Sequence, residues 1–145
     1  MKTFIAIAAC VLALAFATPA PAQQVTLYKR LGGYDAMIAV TDDFLGKLSV
    51  DPQFARFFSG HSTDSIKRLR QHVVDFLCSA TGGPCVYLGR DMKTSHAGLG
   101  ITGAEWDASV KALIATLDKL NVPAKEKDEV LGAVGSLKKD IVDKP

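Results

Sequence analysis

The chain has 145 residues, 48% of them hydrophobic and 22% charged, and a formal net charge of +2. That length sets one domain, and the near-neutral charge gives no electrostatic basis for binding nucleic acid. The three cysteines form neither CxxC nor CxxCH, which leaves no support for a thioredoxin-type site, a zinc knuckle or covalently attached c-type haem.

Residues 1–22, MKTFIAIAACVLALAFATPAPA, open with Lys2 and continue in an apolar run from Phe4 to Ala17. They end in Ala20-Pro21-Ala22. A basic start, an apolar run and a small-x-small end predict a cleaved secretory signal peptide. The run is shorter than the roughly 20 residues that span hydrocarbon, which favours cleavage over a retained membrane anchor. The run also continues past Cys10, against a lipoprotein box at Ile7–Cys10. Cleavage leaves residues 23–145, which is enough for one core. The mature charge is +1, because Lys2 departs. The predicted location is outside the cytoplasm, in the periplasm, with no stable membrane insertion after cleavage.

Along the mature chain the apolar residues recur at helical spacing, and no strand pattern appears. Gly32-Gly33 precedes a helix with the stripe Met37, Val40, Phe44 and Leu48, and Leu45 beside it. Asp51-Pro52 ends that helix. A short element carries Phe54, Phe57 and Phe58, and Ser59-Gly60 closes it. The next helix starts near Ser62–Asp64, where a side-chain oxygen can cap it. Its stripe is Ile66, Leu69, Val73, Phe76 and Leu77, and Gly82-Gly83-Pro84 stops it. Cys78 and Cys85 flank that turn. A Gly-Gly-Pro turn can fold Cys85 back on Cys78, and an oxidising compartment favours a local disulfide over two thiols. Such a loop would stabilise by ~2 kcal/mol.

An irregular stretch, 84–90, leads to DMKTSHAGLGI, residues 91–101. Thr102-Gly-Ala-Glu105 then reads as a capping box. It opens a helix with Trp106, Val110, Leu113, Ile114, Leu117 and Leu120 on one side. Asn121-Val122-Pro123 breaks it. A last helix carries Val130, Val134, Leu137 and Ile141, weakened by Gly132 and Gly135. The fold class is all-α, with four substantial helices.

No GxSxG, phosphate loop, HExxH or EF-hand loop is present. The mature chain has three histidines. His61 lies in a polar turn, HSTDS, and reads as surface. His72 flanks an apolar stripe, as a boundary residue or as a ligand. His96 follows Met92 and precedes Leu99 and Ile101, as a helix-end residue or as a ligand. Two histidines from different helices can face each other across a flat cofactor, and imidazole suits iron. The phenylalanine cluster would wall such a cofactor, although a cofactor-free helical interaction module would use the same residues as plain core.

Four motifs together resemble one family: LYKRLGG (27–33), the Phe-Phe of ARFFSG (55–60), TGGP (81–84) and MKTSHAGLGIT (92–102). The chain resembles a group I truncated haemoglobin from about Leu27 to Ile141. The resemblance implies a two-over-two helical sandwich holding haem b. It implies that His96 is the proximal iron ligand, that Phe58 packs on the haem face and that the glycine pairs let shortened helices turn. It implies a diatomic gas as the ligand: oxygen, with NO and CO as alternatives.

On the distal side the family often has a tyrosine where this chain has Leu45, and a glutamine where it has Val73. One turn before Val73 stands Leu69. None of these donates a hydrogen bond, so bound oxygen would lose roughly 1–2 kcal/mol per missing donor. That weakens tight oxygen binding, NO dioxygenase chemistry and peroxidase-like activity, while oxygen binding and transport remain the expected role. His72 matches the position where some members supply a sixth iron ligand. A His96/His72 haem would suit electron transfer or redox chemistry with a partner protein. Met92 lies beside the cofactor by position, and Arg90 and Lys93 are the cations assigned to haem propionates. Lys67, Arg68 and Arg70 read as solvent-facing.

Overall fold

The computed structural model describes residues 24–143. The expected signal segment therefore lies outside the described residues. About 71% of those described are helical and none forms a strand. No helix among them is long and apolar enough to cross a membrane.

Two glycines make the first corner. Helix α1 (Leu27–Leu31) ends at Gly32, and α2 (Tyr34–Val50) starts after Gly33. Their φ values of +107° and +77° are conformations that side-chain-bearing residues rarely adopt. The five-residue α1 was not foreseen from periodicity. Its cap is local: Thr26 Oγ1 accepts from the Lys29 amide. A 3-10 turn (Pro52–Phe54) and α3 (Ala55–Phe58) follow, and then α4 (Thr63–Ala80), capped by Ser62. Helix α5 (Met92–His96) is five residues long. Helix α6 (Gly103–Lys119) opens with the expected capping box, in which Thr102 and Glu105 bond reciprocally.

The final stripe is not one helix. It divides into α7 (Ala124–Gly135) and α8 (Lys138–Ile141). Gly132 and Gly135 weaken the helix where it ends, and the released turn contacts α5 instead of prolonging α7.

Helices α2 and α4 form one pair, α6 and α7 the other, and α2 joins the pairs through α6. Between α2, α6 and α7, Val40, Leu113, Leu117 and Val130 are buried together. Between α2 and α4, Met37 meets Val74 and Cys78. The result is the expected two-over-two sandwich. Its long helices leave α5 held at one end by turns.

A polar latch ties the two layers. Thr116 on α6, fully buried, donates to Asp43 Oδ2 on α2 at 2.8 Å, and Lys119 and Lys47 also donate to that carboxylate. Lys119, then Lys47, then Thr116 hold the Asp43 carboxyl far below the usual carboxylate range. Asp43→Ala is expected to cost about 2 kcal/mol in urea denaturation at pH 7, because it leaves a buried hydroxyl without its acceptor. A depressed folded-state pKa stabilises above the unfolded value, near 3.9, and loses that contribution as pH falls towards the folded one. The gap between wild type and variant should therefore narrow below about pH 4; a gap constant down to pH 2 would remove the charge from the explanation.

Candidate haem site

The segment before α5 is organised by side chains. Asp91 caps the helix, accepting from the Thr94 amide at 2.7 Å and its hydroxyl at 2.9 Å. The Thr94 amide is the main reason the Asp91 carboxyl lies below its ordinary pKa. Carboxylates suit a helix N-terminus, where amides lack partners.

At the other end of α5, His96 Nδ1 lies 2.7 Å from the Met92 carbonyl one turn earlier. A carbonyl only accepts, so Nδ1 is the donor, and in the neutral ring this tautomer has its lone pair on Nε2. That is the tautomer a metal-binding histidine needs, and the backbone fixes its orientation.

The turn after His96 is pinned from two directions. Arg56 on α3 donates to the carbonyls of Leu99 at 2.6 Å and Gly100 at 3.2 Å, and its Nη2 reaches both Glu105 oxygens at 2.9 Å. Its guanidinium sits 3.9 Å above the Phe57 ring. Asp143 accepts from the Gly100 amide at 2.9 Å. The Thr102 amide, with Arg56 contributing, keeps the buried Glu105 carboxyl below its ordinary pKa. One arginine thus connects the phenylalanine-bearing α3 to the turn that follows His96.

Beside α5 opens a cavity of about 410 Å3, lined by Phe76, Tyr87, Asp91, Met92, Lys93, Leu137 and Asp140. That volume is within the ordinary range for small-molecule sites, roughly 300–1,000 Å3. Met92 and Lys93 were expected there; the others were not assigned from sequence. Tyr87 is the one aromatic residue of 84–90, and that was its only signal. Its ring meets Phe76 edge-on at 5.4 Å and His72 edge-on at 6.2 Å, and its hydroxyl donates to the Arg90 carbonyl at 2.6 Å.

The remaining candidates do not line the cavity. His72 is exposed on α4, next to half-buried Val73 and one turn before Phe76. Leu69 is 41% exposed, unusual for the stripe of a core-facing helix. Leu45 and Phe58 are half-buried. Arg90 is exposed, and its carbonyl rather than its side chain takes part in the bonds described. Arg70 is committed to Asp42, which removes it as a free cation. His61 is exposed, as expected.

Comparison with known proteins decides the class. Residues 26–143 match the family model described as bacterial-like globin. The chain belongs to the bacterial-like globin family. This globin is 33% identical over 120 residues to the group 1 truncated haemoglobin GlbN of Mycolicibacterium paratuberculosis, covering 83% of this chain and 86% of the relative. It is 34% identical over 119 residues to GlbN of Nostoc commune, covering 82% and 98%. Among solved structures it resembles the truncated haemoglobin of Tetrahymena pyriformis in its Fe(III) form, with a TM-score of 0.74, 31% identity and 81% and 98% of the two chains covered. It also resembles the 2/2 haemoglobin of a Synechococcus species, solved in the cyanomet state with covalently attached haem, with a TM-score of 0.73, 33% identity and 82% and 99% covered. Truncated globins bind haem and gas ligands.

The residues of this globin fit that group. A lone pair is presented by a histidine of fixed tautomer. Phe76, Tyr87, Met92 and Leu137 give apolar walls, and Lys93 gives a cation beside them for a carboxylate. The partly uncovered Leu69 and Leu99 are apolar surface for a cofactor to cover.

Proposed function

We propose that this globin binds haem b and takes up diatomic gases at its iron, with His96 Nε2 as the proximal ligand. The observation that carries the reading is the His96 to Met92 bond, which gives the imidazole the required tautomer at the end of the helix whose first residues, Met92 and Lys93, line the apolar cavity. The b-type assignment follows the family resemblance, and the chain carries no CxxCH for c-type attachment. When bound, haem supplies an iron atom that coordinates oxygen, CO or NO. Phe58 would pack on the haem, Leu45, Leu69 and Val73 would face the bound gas, and Met92 would contact the cofactor. Lys93, with Arg90 at the rim, neutralises propionates. None of the three distal apolar residues donates to a bound gas, so tight oxygen storage and NO dioxygenase chemistry are disfavoured relative to reversible ligand exchange.

A second reading is favoured by one observation: His72 stands on α4 against Tyr87, a residue of the cavity wall. From there His72 serves as a reversible sixth ligand, as an electron-transfer haem with a redox partner would use. Ferric, ferrous and CO-bound spectra of wild type beside His72→Leu test both readings. The expected variant is five-coordinate when ferrous and binds CO faster. An unchanged ferrous spectrum removes His72 from iron, and a wild type without a Soret band after reconstitution removes the haem.

We further propose that residues 1–22 direct export to the periplasm. The Cys78–Cys85 disulfide supports this, because such bonds persist in oxidising compartments.

A further inference from the structure

The segment 84–90 connects the distal helix α4 to the proximal helix α5, yet it is barely held by its own backbone. Among the described residues, no backbone group of 84–90 pairs with another backbone group. Val86 and Leu88 stand 71% and 85% exposed. Three attachments remain. The Cys78–Cys85 disulfide ties the start of the segment to α4. The Tyr87 ring lies against Phe76 and His72. The Tyr87 and Ser95 hydroxyls donate to the Arg90 carbonyl. Cys78 is fully buried in the core between α2 and α4. Gly83 makes the close turn possible: a Cβ there would lie 2.6 Å from Cys78 Sγ. The tether thus anchors to a fully buried position in the last turn of α4, and the residue bordering His72 stands two positions after Cys85.

We propose that Tyr87 is the positioning residue for His72, and that the oxidation state of Cys78–Cys85 sets how often His72 occupies the sixth position on haem iron. The proposal rests on the reading of His72 as a sixth ligand. With the disulfide intact, Tyr87 restricts an imidazole that is otherwise exposed, so less freedom is lost when it coordinates. When the tether opens, a segment without backbone pairing gains conformations. Tyr87 leaves His72 more often, and the five-coordinate form gains.

The opening step needs a dithiol reductant of the thioredoxin-like class. Its thiolate attacks Cys85 Sγ, which is half-buried, whereas Cys78 is not exposed. The Cys78–Cys85 bond breaks, and Cys78 leaves as a thiolate and takes a proton. The second thiol of the reductant then attacks its own sulfur in the mixed disulfide and releases Cys85. Two electrons and two protons pass to the cysteine pair, and the reductant becomes a disulfide.

The test uses the haem-loaded mature chain with its cysteine pair oxidised, reduced by dithiothreitol, or opened by Cys85→Ser, each read by ferrous spectra and CO-binding rate. Tyr87→Leu and Tyr87→Phe are measured alongside, with His72→Leu as the reference. Reduction, Cys85→Ser and Tyr87→Leu should each raise the five-coordinate fraction and speed CO binding roughly three- to tenfold, the factor that immobilising one side chain is worth. Tyr87→Phe keeps the ring and should behave as wild type. Hydrogen exchange of residues 84–91 in the haem-free chain should rise on reduction. If His72→Leu changes the spectrum while reduction and Cys85→Ser do not, the switch is wrong and His72 remains a ligand. If His72→Leu itself changes nothing, the ligand reading and the switch fall together. Should Cys85→Ser not fold, the dithiothreitol titration of wild type decides alone: a CO rate independent of the cysteine state overturns the proposal.

Discussion

Replacing His96 with alanine is expected to leave a folded chain that no longer holds haem in its native coordination. The expectation separates two roles of one residue. To the haem-free fold, His96 gives a hydrogen bond inside a five-residue helix at the molecule's edge, worth about 1 kcal/mol net. The core residues of the sandwich, Val40, Leu113, Leu117 and Val130, lie elsewhere. Circular dichroism and the denaturation midpoint of the haem-free protein should therefore change little. To the cofactor, His96 would give the Nε2 lone pair of the tautomer whose Nδ1–H the Met92 carbonyl accepts. Its loss should abolish the wild-type Soret band, and added imidazole should restore part of it by filling the vacated position. A variant with the wild-type spectrum in all three states would end the assignment. A variant that does not fold would show that α5 is needed for the sandwich itself.

Phe58→Ala should show the second large effect, again confined to the loaded protein. In the structure Phe58 is half-buried at the end of α3 and belongs to neither buried core cluster. Truncation should cost the haem-free chain below about 1 kcal/mol, as for a partly exposed position. If the ring packs on the haem face, haem covers the rest of it, and the loaded state loses about 2–3 kcal/mol of apolar burial. That converts to roughly 30- to 150-fold faster haem loss at tenfold per 1.36 kcal/mol. Haem transfer to an excess of scavenger globin measures the rate, and Phe58→Leu should recover most of it. Equal destabilisation of both states would make Phe58 core rather than cofactor wall.

Much of the fold was legible because its signals are local. The capping box at Thr102 and Glu105, the Ser62 cap and the Gly32-Gly33 corner each depend on a few adjacent residues, and each stands as expected. The break between α7 and α8 was harder. Val130, Val134, Leu137 and Ile141 keep helical spacing across it, and a stripe records which residues face inward without recording whether the helix is continuous. Of the cavity wall, Met92 and Lys93 were legible through their nearness to the His96 motif. Phe76 was legible only as one member of an apolar stripe. Tyr87 and Arg56 were not legible at all. Tyr87 sits in an irregular segment without periodicity, and Arg56 acts on carbonyls more than forty positions away.

By itself, then, the sequence determined the helical class, most helix ends and the motif set that carries the globin resemblance, because periodicity, caps and glycine turns are encoded within one or two helical turns. Only the tertiary structure decided that Arg70 is taken by Asp42, that Arg56 clamps the turn after His96, and that Tyr87 joins His72 to a disulfide-tethered loop. Those are contacts between groups distant in sequence. They exist only once burial has brought the helices together, and no local pattern announces them.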